Sequence, residues 1–469
     1  MRLTELELRW TRCSTRLPFR FGRATMTAAP LLMARVGMDN GAATPYVGRS
    51  ADLLVPKWFD KGADTTDEED RAALIASARA AGEAWRTASQ VHSSVFEQWL
   101  AVYRDRVEAA PLEAQDRLVR GFGVALVERA VIDAACRAAG VSFFEAWRRD
   151  LFGVRAGAAV PSLAGFDPAR AFSRAPLSSV RVRHTVGMAD ELRAADVTAE
   201  QRGDDDHPCS LEEDIAAYGL DAFKLKVGGD EAADLARLEA IGAVLAERAP
   251  GALVTLDGNE QYADPGRLAD VLERLGGRPH GAAILGHLAH IEQPAPRAAT
   301  FREGTRAGLA RLAAFAPVII DEADLGLEAF QRAFDLGYRG TSVKNCKGVF
   351  RAVLNYGLAG QLGDGAFLAG EDLTNLPLLP LQQDLATAAL LHLPHVERNG
   401  HHYFRGLGHL PPEAARAALD RHPDLYRATP EGTALRIAGG RVQVGSLDQV
   451  GYACGVEGAW LDAAPAAPL

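Results

Sequence analysis

Apolar and polar residues alternate over residues 5–10, and an apolar run covers 31–38 before Asp39-Asn40-Gly41. Period-two patterning closed by such a turn predicts strands joined by a hairpin. Between them, Pro18-Phe19-Arg20-Phe21-Gly22-Arg23 reads as a loop. It is either a surface turn with packed phenylalanines or a mobile flap over a pocket, with Arg20 or Arg23 reaching an anionic substrate. From about 65 to 139 the pattern changes to Ala-rich helices. Thr66-Asp67-Glu68-Glu69 suits a helix start, Ala125, Val127, Ala130, Val131 and Ala134 recur at helical spacing, and Gly140 suits a C-cap. Strands followed by helices predict an N-terminal α+β domain over 1–155. Glu128 and Asp133 on its last helix are expected to be ion-paired structural residues.

Beyond a Pro/Gly-punctuated linker (153–180), strand and helix patterns alternate. Strands are predicted near 181–187, 222–227, 252–257, 287–292, 317–321, 340–344, 365–369 and 394–397. Eight such units predict an α/β fold, a TIM-like (β/α) barrel over 156–405. An open doubly wound sheet is the competitor, weakened by the lack of GxGxxG after the first strand. Residues 190–208, with Asp204-Asp205-Asp206, form a polar loop insertion. In the segment 406–469, residues 435–437 and 441–444 predict a hairpin about Gly439-Gly440 that returns to the N-terminal domain. Residues 463–469 are expected to fray.

The chain has 469 residues, long enough for two domains, with 48% apolar and 24% charged residues, as in ordinary globular proteins. Its net charge of −10 argues against nucleic acid or an anionic membrane as partner. The charged, alternating N-terminus is not a signal peptide, and no apolar run approaches the ~18–20 residues that span a bilayer. The cysteines Cys13, Cys136, Cys209, Cys346 and Cys454 are scattered and without CxxC spacing. A cytoplasmic, reduced chain without zinc is the expectation.

Candidate chemistry centres on the strand in 221–229. Alternation puts Lys224 and Lys226 on one face and Phe223, Leu225 and Val227 on the other. Buried ammonium groups require anions, and three acids follow at consecutive strand ends: Asp257, Glu292 and Asp321. In a parallel barrel these ends meet at one rim, with neighbouring strands ~4.8 Å apart, so the carboxylates can converge on one ion. Oxygen-only donors suit a hard cation, Mg²⁺ before Mn²⁺. Lys344 ends the sixth strand, diametrically opposite the second, so Lys226 and Lys344 would flank a substrate from opposite faces. A dication and a second ammonium would lower a lysine pKa from ~10.4 toward neutrality, making it a competent base. The bland alternative is that these lysines only neutralise buried acids.

These residues resemble the enolase superfamily, and within it the muconate-lactonizing-enzyme-like subgroup of the mandelate racemase/muconate lactonizing enzyme family. The resemblance is carried by Lys224-Leu-Lys226, Asp257-Gly-Asn259, Ile291-Glu292-Gln293-Pro294, Asp321-Glu322-Ala323 and Val343-Lys344-Asn345-Cys346-Lys347-Gly348. It implies a modified (β/α)7β barrel with an N-terminal α+β cap completed by the C-terminal tail, and an essential Mg²⁺. It further implies Asp257, Glu292 and Asp321 as ligands, Lys226 and Lys344 as the acid/base pair, and Lys224 and Asn259 as supporting groups. Glu322 is the second choice for the fifth-strand ligand, and Lys347, out of phase with Lys344, is a supporting charge. Val349 stands where the family has a second glycine, and extra length falls near 50–110, 190–212 and 400–430. Glu371 or Asp372, after the seventh strand, would orient a substrate group or hydrogen-bond Lys344. The stretch from Glu397 through His401, His402 and Tyr403, after the eighth, is dense in recognition groups. The implied activity is removal of the proton α to the carboxylate of a small-molecule substrate through a metal-stabilised enediolate, with racemisation or epimerisation ahead of dehydration or cycloisomerisation. A Schiff-base lysine aldolase and a non-catalytic ligand-binding relative are the remaining readings. A homo-oligomer is expected.

Overall fold

Strand β1 (Arg2–Phe21), β2 (Ala24–Asp39) and β3 (Tyr46–Leu53) form an antiparallel three-stranded sheet in the computed structural model. It describes residues 1–21, 24–41, 44–62, 64–111, 116–202, 206–363 and 365–457. Gly22, Arg23, Asp204, Asp205 and residues 463–469 lie outside the described residues. The expected loop at Pro18 is instead strand: Phe19, Arg20 and Phe21 pair with Met26, Thr25 and Ala24. Alternation turns Phe19 and Phe21 inward and leaves Arg20 exposed.

Helix Asp67–Val91 begins with the expected capping box, Thr66 and Glu69 each serving the other's backbone. Helix Arg117–Ala139 ends at Gly140 in the left-handed region. β3 crosses this second helix at Gly48, where a Cβ would lie 2.0 Å from the Ala130 carbonyl oxygen, so only glycine permits the approach. Asp133 is ion-paired, with Arg137 at 2.9 Å. Glu128 is not: among the described residues it makes no ion pair, and it accepts the Phe350 amide at 2.7 Å with Oε2 left unpaired.

Burial raises the Glu128 carboxyl from the usual 4.5 to about 7. Because the folded value lies above the unfolded one, its protonated form stabilises the fold below about pH 4.5. That contribution, on the order of 3 kcal/mol, is lost as the pH rises through about 7. Glu128→Gln keeps the acceptor and removes the charge. We expect the variant to be more stable than the parent at pH 8, with the advantage gone at pH 4.5. A denaturant-melt difference independent of pH would contradict this.

Eight parallel strands follow: β4 (Ser179–Val186), β5 (Ala222–Lys226), β6 (Leu253–Asp257), β7 (Leu288–Glu292), β8 (Val318–Ile320), β9 (Gly340–Val343), β10 (Phe367–Gly370) and β11 (His395–Arg398). Each pairs with the next, and β11 pairs with β4, closing the ring. Helices from Leu211–Tyr218 to Leu379–Leu390 make each of the seven crossovers, which defines a (β/α)7β barrel. β12 (Tyr426–Thr429) and β13 (Gly432–Leu435) pair with each other. The chain does turn at Gly439 and Gly440, but β14 (Arg441–Gln443) pairs antiparallel with the foot of β4, not with β13. The expected hairpin survives as its closing turn, Ala438 and Arg441 exchanging backbone hydrogen bonds at 3.0 and 3.1 Å across the two glycines, while beyond it the strand pairs with β4, which offers unpaired backbone groups there. Only the last described stretch returns to the cap, where Tyr452 stacks on Phe143 and its amide reaches Asp133. Among the described residues, no helix is long and apolar enough to cross a membrane, and all five cysteines are buried and free.

Candidate active site

The register of the barrel sets Lys226 opposite Asp257 and Asp257 opposite Glu292, so the ends of β5, β6 and β7 lie level at the rim. Lys226 Nζ meets Asp257 Oδ2 at 2.6 Å. Lys224, one inward layer deeper, is fully buried among four carboxylates: Glu292 at 2.6 Å, Glu371 at 2.7 Å, Asp257 at 2.9 Å and Glu397 at 3.0 Å. Across the ring, Lys344 Nζ meets Asp321 Oδ2 at 2.6 Å and stands 4.4 Å from the Trp58 ring centroid. Lys347 flanks Asp321 from below, 2.7 Å from Ser342 Oγ and 3.0 Å from Asp324. Ser342 donates to Asp321.

Electrostatics follow from this pairing. Burial by itself depresses the Lys224 ammonium, but its four carboxylates outweigh that and hold it well above the usual lysine range. Burial opposes Asp321 in the same way, yet Lys344 and Lys347 keep its carboxyl well below the usual range. Lys344 itself is raised, burial being outweighed by Asp321. The nearest charge to this lysine is an anion, which is why its ammonium is held.

Glu292 stands apart. Burial pushes its carboxyl well above the usual range, Asp257 and Glu371 push further, and neither oxygen has an aligned hydrogen-bond donor among the described residues. An oxygen-rich set around an under-neutralised buried carboxylate fits a hard divalent cation. The spacing differs from the expectation: the oxygens of Asp257, Glu292 and Asp321 are not gathered within 4.8 Å, whereas donor atoms of His290, Glu292 and Glu371 are. Lysine ammonium groups stand on Asp257 and Asp321 instead, each neutralising its own acid.

Lys226 and Lys344 line one small cavity, of about 30 Å³, together with Phe19, Phe21, Trp58 and Glu397. Asn259 and Asp372 also border it. Asn259 donates to Glu322 at 3.3 Å, and Lys61 from the cap reaches Glu322 at 2.9 Å and Glu260 at 2.6 Å. Glu371 binds Lys224 and Arg183, and Asp372 binds Arg398 at 3.0 Å, so neither hydrogen-bonds Lys344. Burial raises the Asp372 carboxyl to about 7. Arg20 is not brought to the site. His401 and His402 turn away from the mouth toward Asp214. Trp58, Lys61, Arg183 and Thr185 were missed from the sequence. Arg183 and Thr185 share the inward phase of β4 and were findable by alternation, but Trp58 and Lys61 belong to the cap and carry no such signal.

No family model matches the chain. Over 175 residues it is 30% identical to a hydrophobic dipeptide epimerase from Citrifermentans bemidjiense, covering 37% of this chain and 35% of that protein. The match thus spans about a third of the curated relative's length. Among solved structures, the muconate lactonizing enzyme from Mycobacterium smegmatis, complexed with muconolactone, superposes with a TM-score of 0.63 at 16% identity, covering 97% of each chain. A dipeptide epimerase from Cytophaga hutchinsonii, complexed with Mg and D-Ala-L-Val, gives 0.61 at 13% identity, covering 99% of this chain and 98% of that one. The chain therefore has the capped barrel fold of these two enzymes. The resemblance carried by its barrel motifs extends, as fold, over nearly its whole length.

Proposed function

We propose that the chain is a Mg²⁺-dependent epimerase of the enolase superfamily, acting on the carbon α to a carboxylate, with dipeptides bearing an apolar side chain as the favoured substrates. The observation that carries this reading is that Lys226 and Lys344 line one cavity from β5 and β9, the second and sixth strands of an eight-stranded ring. One lysine takes the α-proton, the C–H electron pair passes into the carboxylate, and the other lysine returns a proton to the opposite face. Asp257, Glu292 and Asp321 would hold the metal, provided the side chains of Asp257 and Asp321 swing from Lys226 and Lys344 toward Glu292, and when bound it would supply positive charge against the negative charge developing on the substrate carboxylate. Sharing the charge of Asp321 in that way would weaken its grip on the Lys344 ammonium and ease loss of that proton.

Apolar Phe19, Phe21 and Trp58 suit an aliphatic or aromatic side chain, and Glu397 and Asp372 suit a substrate ammonium. The partial identity to a hydrophobic dipeptide epimerase supports the same class. A cavity of about 30 Å³ holds little more than a water molecule, so substrate entry requires lining side chains such as Phe19, Phe21 and Trp58 to shift.

The test is incubation with L,L-dipeptides and Mg²⁺ in D₂O. Epimerisation gives the second diastereomer with deuterium at the α-carbon and incorporates deuterium into recovered substrate. A dehydrated or ring-closed product would instead assign a lyase or cycloisomerase. Borohydride trapping without metal would assign the Schiff-base reading.

A further inference from the structure

A second group of metal-type ligands lies on the flank of the barrel. Alternation along β4 turns Arg183 and Thr185 inward, so His184 faces outward, toward the helix Leu211–Tyr218 that carries Asp214. β4 and β11 pair with Arg398 opposite His184, which brings the turn after β11, and with it His401, onto the same spot. We propose that His184, Asp214 and His401 form a Zn²⁺ site that ties the segment following β11 to β4 and to this helix.

One ring nitrogen of each histidine and one oxygen of Asp214 lie within 4.8 Å of one another. His184 Nδ1 and His401 Nε2 are hydrogen-bonded at 3.1 Å, a separation that is also close to the ~3.3 Å edge of a tetrahedron with Zn–N bonds of about 2.0–2.1 Å. Asp214 is fully buried, and within 4.0 Å it meets no lysine or arginine among the described residues, only His402 at 2.7 Å and His184 at 3.8 Å. Neither carboxylate oxygen has a well-aligned donor, and the short contact to His402 Nδ1 is an ion pair when that imidazole is protonated. Among the described residues the cationic partners of this buried carboxylate are histidines alone, which carry charge only when protonated, and a divalent cation would supply that charge permanently. Two imidazoles and one carboxylate select zinc over the hard cation suited to the all-oxygen set at the mouth.

The absence of paired cysteines does not bear on such a site, since its ligands come from three separate elements. His401 is the partly exposed member and borders a cavity of about 280 Å³. That leaves a fourth position open to water or, after a small rotation, to His402. Glu397 and Asn399, which line the candidate active site, stand just upstream, so the ion would fix the segment that carries them.

The test uses the full chain, stripped with a chelator and titrated with Zn²⁺ against a chromophoric competitor in saturating Mg²⁺, added to fill the site proposed at the barrel mouth. We expect one tight equivalent. Asp214→Asn and His401→Ala should each weaken it by more than the roughly 10- to 100-fold that outer-shell changes cost, while Glu292→Gln leaves it intact. Co²⁺ in its place should give visible absorption that His401→Ala abolishes. His401→Ala, at a partly exposed position, keeps the test open if Asp214→Asn fails to fold. No tight equivalent in the parent overturns the site, as does one that survives His401→Ala or disappears in Glu292→Gln.

Discussion

Lys344→Gln is expected to lower kcat for epimerisation by roughly 10²–10⁴-fold, the range associated with loss of a positioned acid or base. Glutamine retains a donor for Asp321 and most of the aliphatic stem against Trp58, so the fold should survive where alanine would leave a buried carboxylate bare. The more discriminating readout is stereochemical. If β5 and β9 present their lysines to opposite faces, Lys344→Gln should halt deuterium exchange from one diastereomer while exchange from the other persists through Lys226. Lys226→Gln should show the reverse selectivity. Exchange from both diastereomers at the parental rate in both variants would remove the two-lysine reading.

Chelation should abolish turnover, and Mg²⁺ should restore it. Several kcal/mol of barrier lowering is the usual share of a metal at developing negative charge, on the order of a thousandfold in rate or more. Glu292→Gln should be inactive and beyond rescue by Mg²⁺. A second measurement separates a ligand from a residue that matters only for folding. Glu292 is buried beside Asp257 and Glu371 with both oxygens lacking aligned donors, so Gln should raise the melting temperature of the chelated protein. Mg²⁺ should then raise the melting temperature of the parent and not of the variant, since only binding to the folded state stabilises it. An Mg²⁺ response equal in both would take Glu292 out of the ligand set.

The barrel was legible because its strands are buried on both faces, which writes them as short apolar runs ending in chemistry: Asp257 and Glu292 are the last residues of β6 and β7. The capping box at Thr66 and the left-handed Gly140 were legible for the same reason, since each is settled within a few residues. Pro18 and Gly22 suggested a loop, but the long β1–β2 ladder carries the chain through as strand, and its alternation selects Phe19 and Phe21 over Arg20 as the groups facing the cavity. Glu128 looked like an ion-pair partner because a helix sequence cannot show that the opposite wall offers a backbone amide.

The sequence by itself determined the capped-barrel architecture, the order of the strands and the residue types at their ends, because periodicity and strand phase are local properties. Only the tertiary structure decided which charge answers which. Ring closure sets Lys224 among four carboxylates, Lys344 on Asp321 under Trp58, and His184 beside Asp214 and His401. Those pairings join residues tens to hundreds of positions apart, and an electrostatic interaction depends on distance in space, which no local pattern encodes.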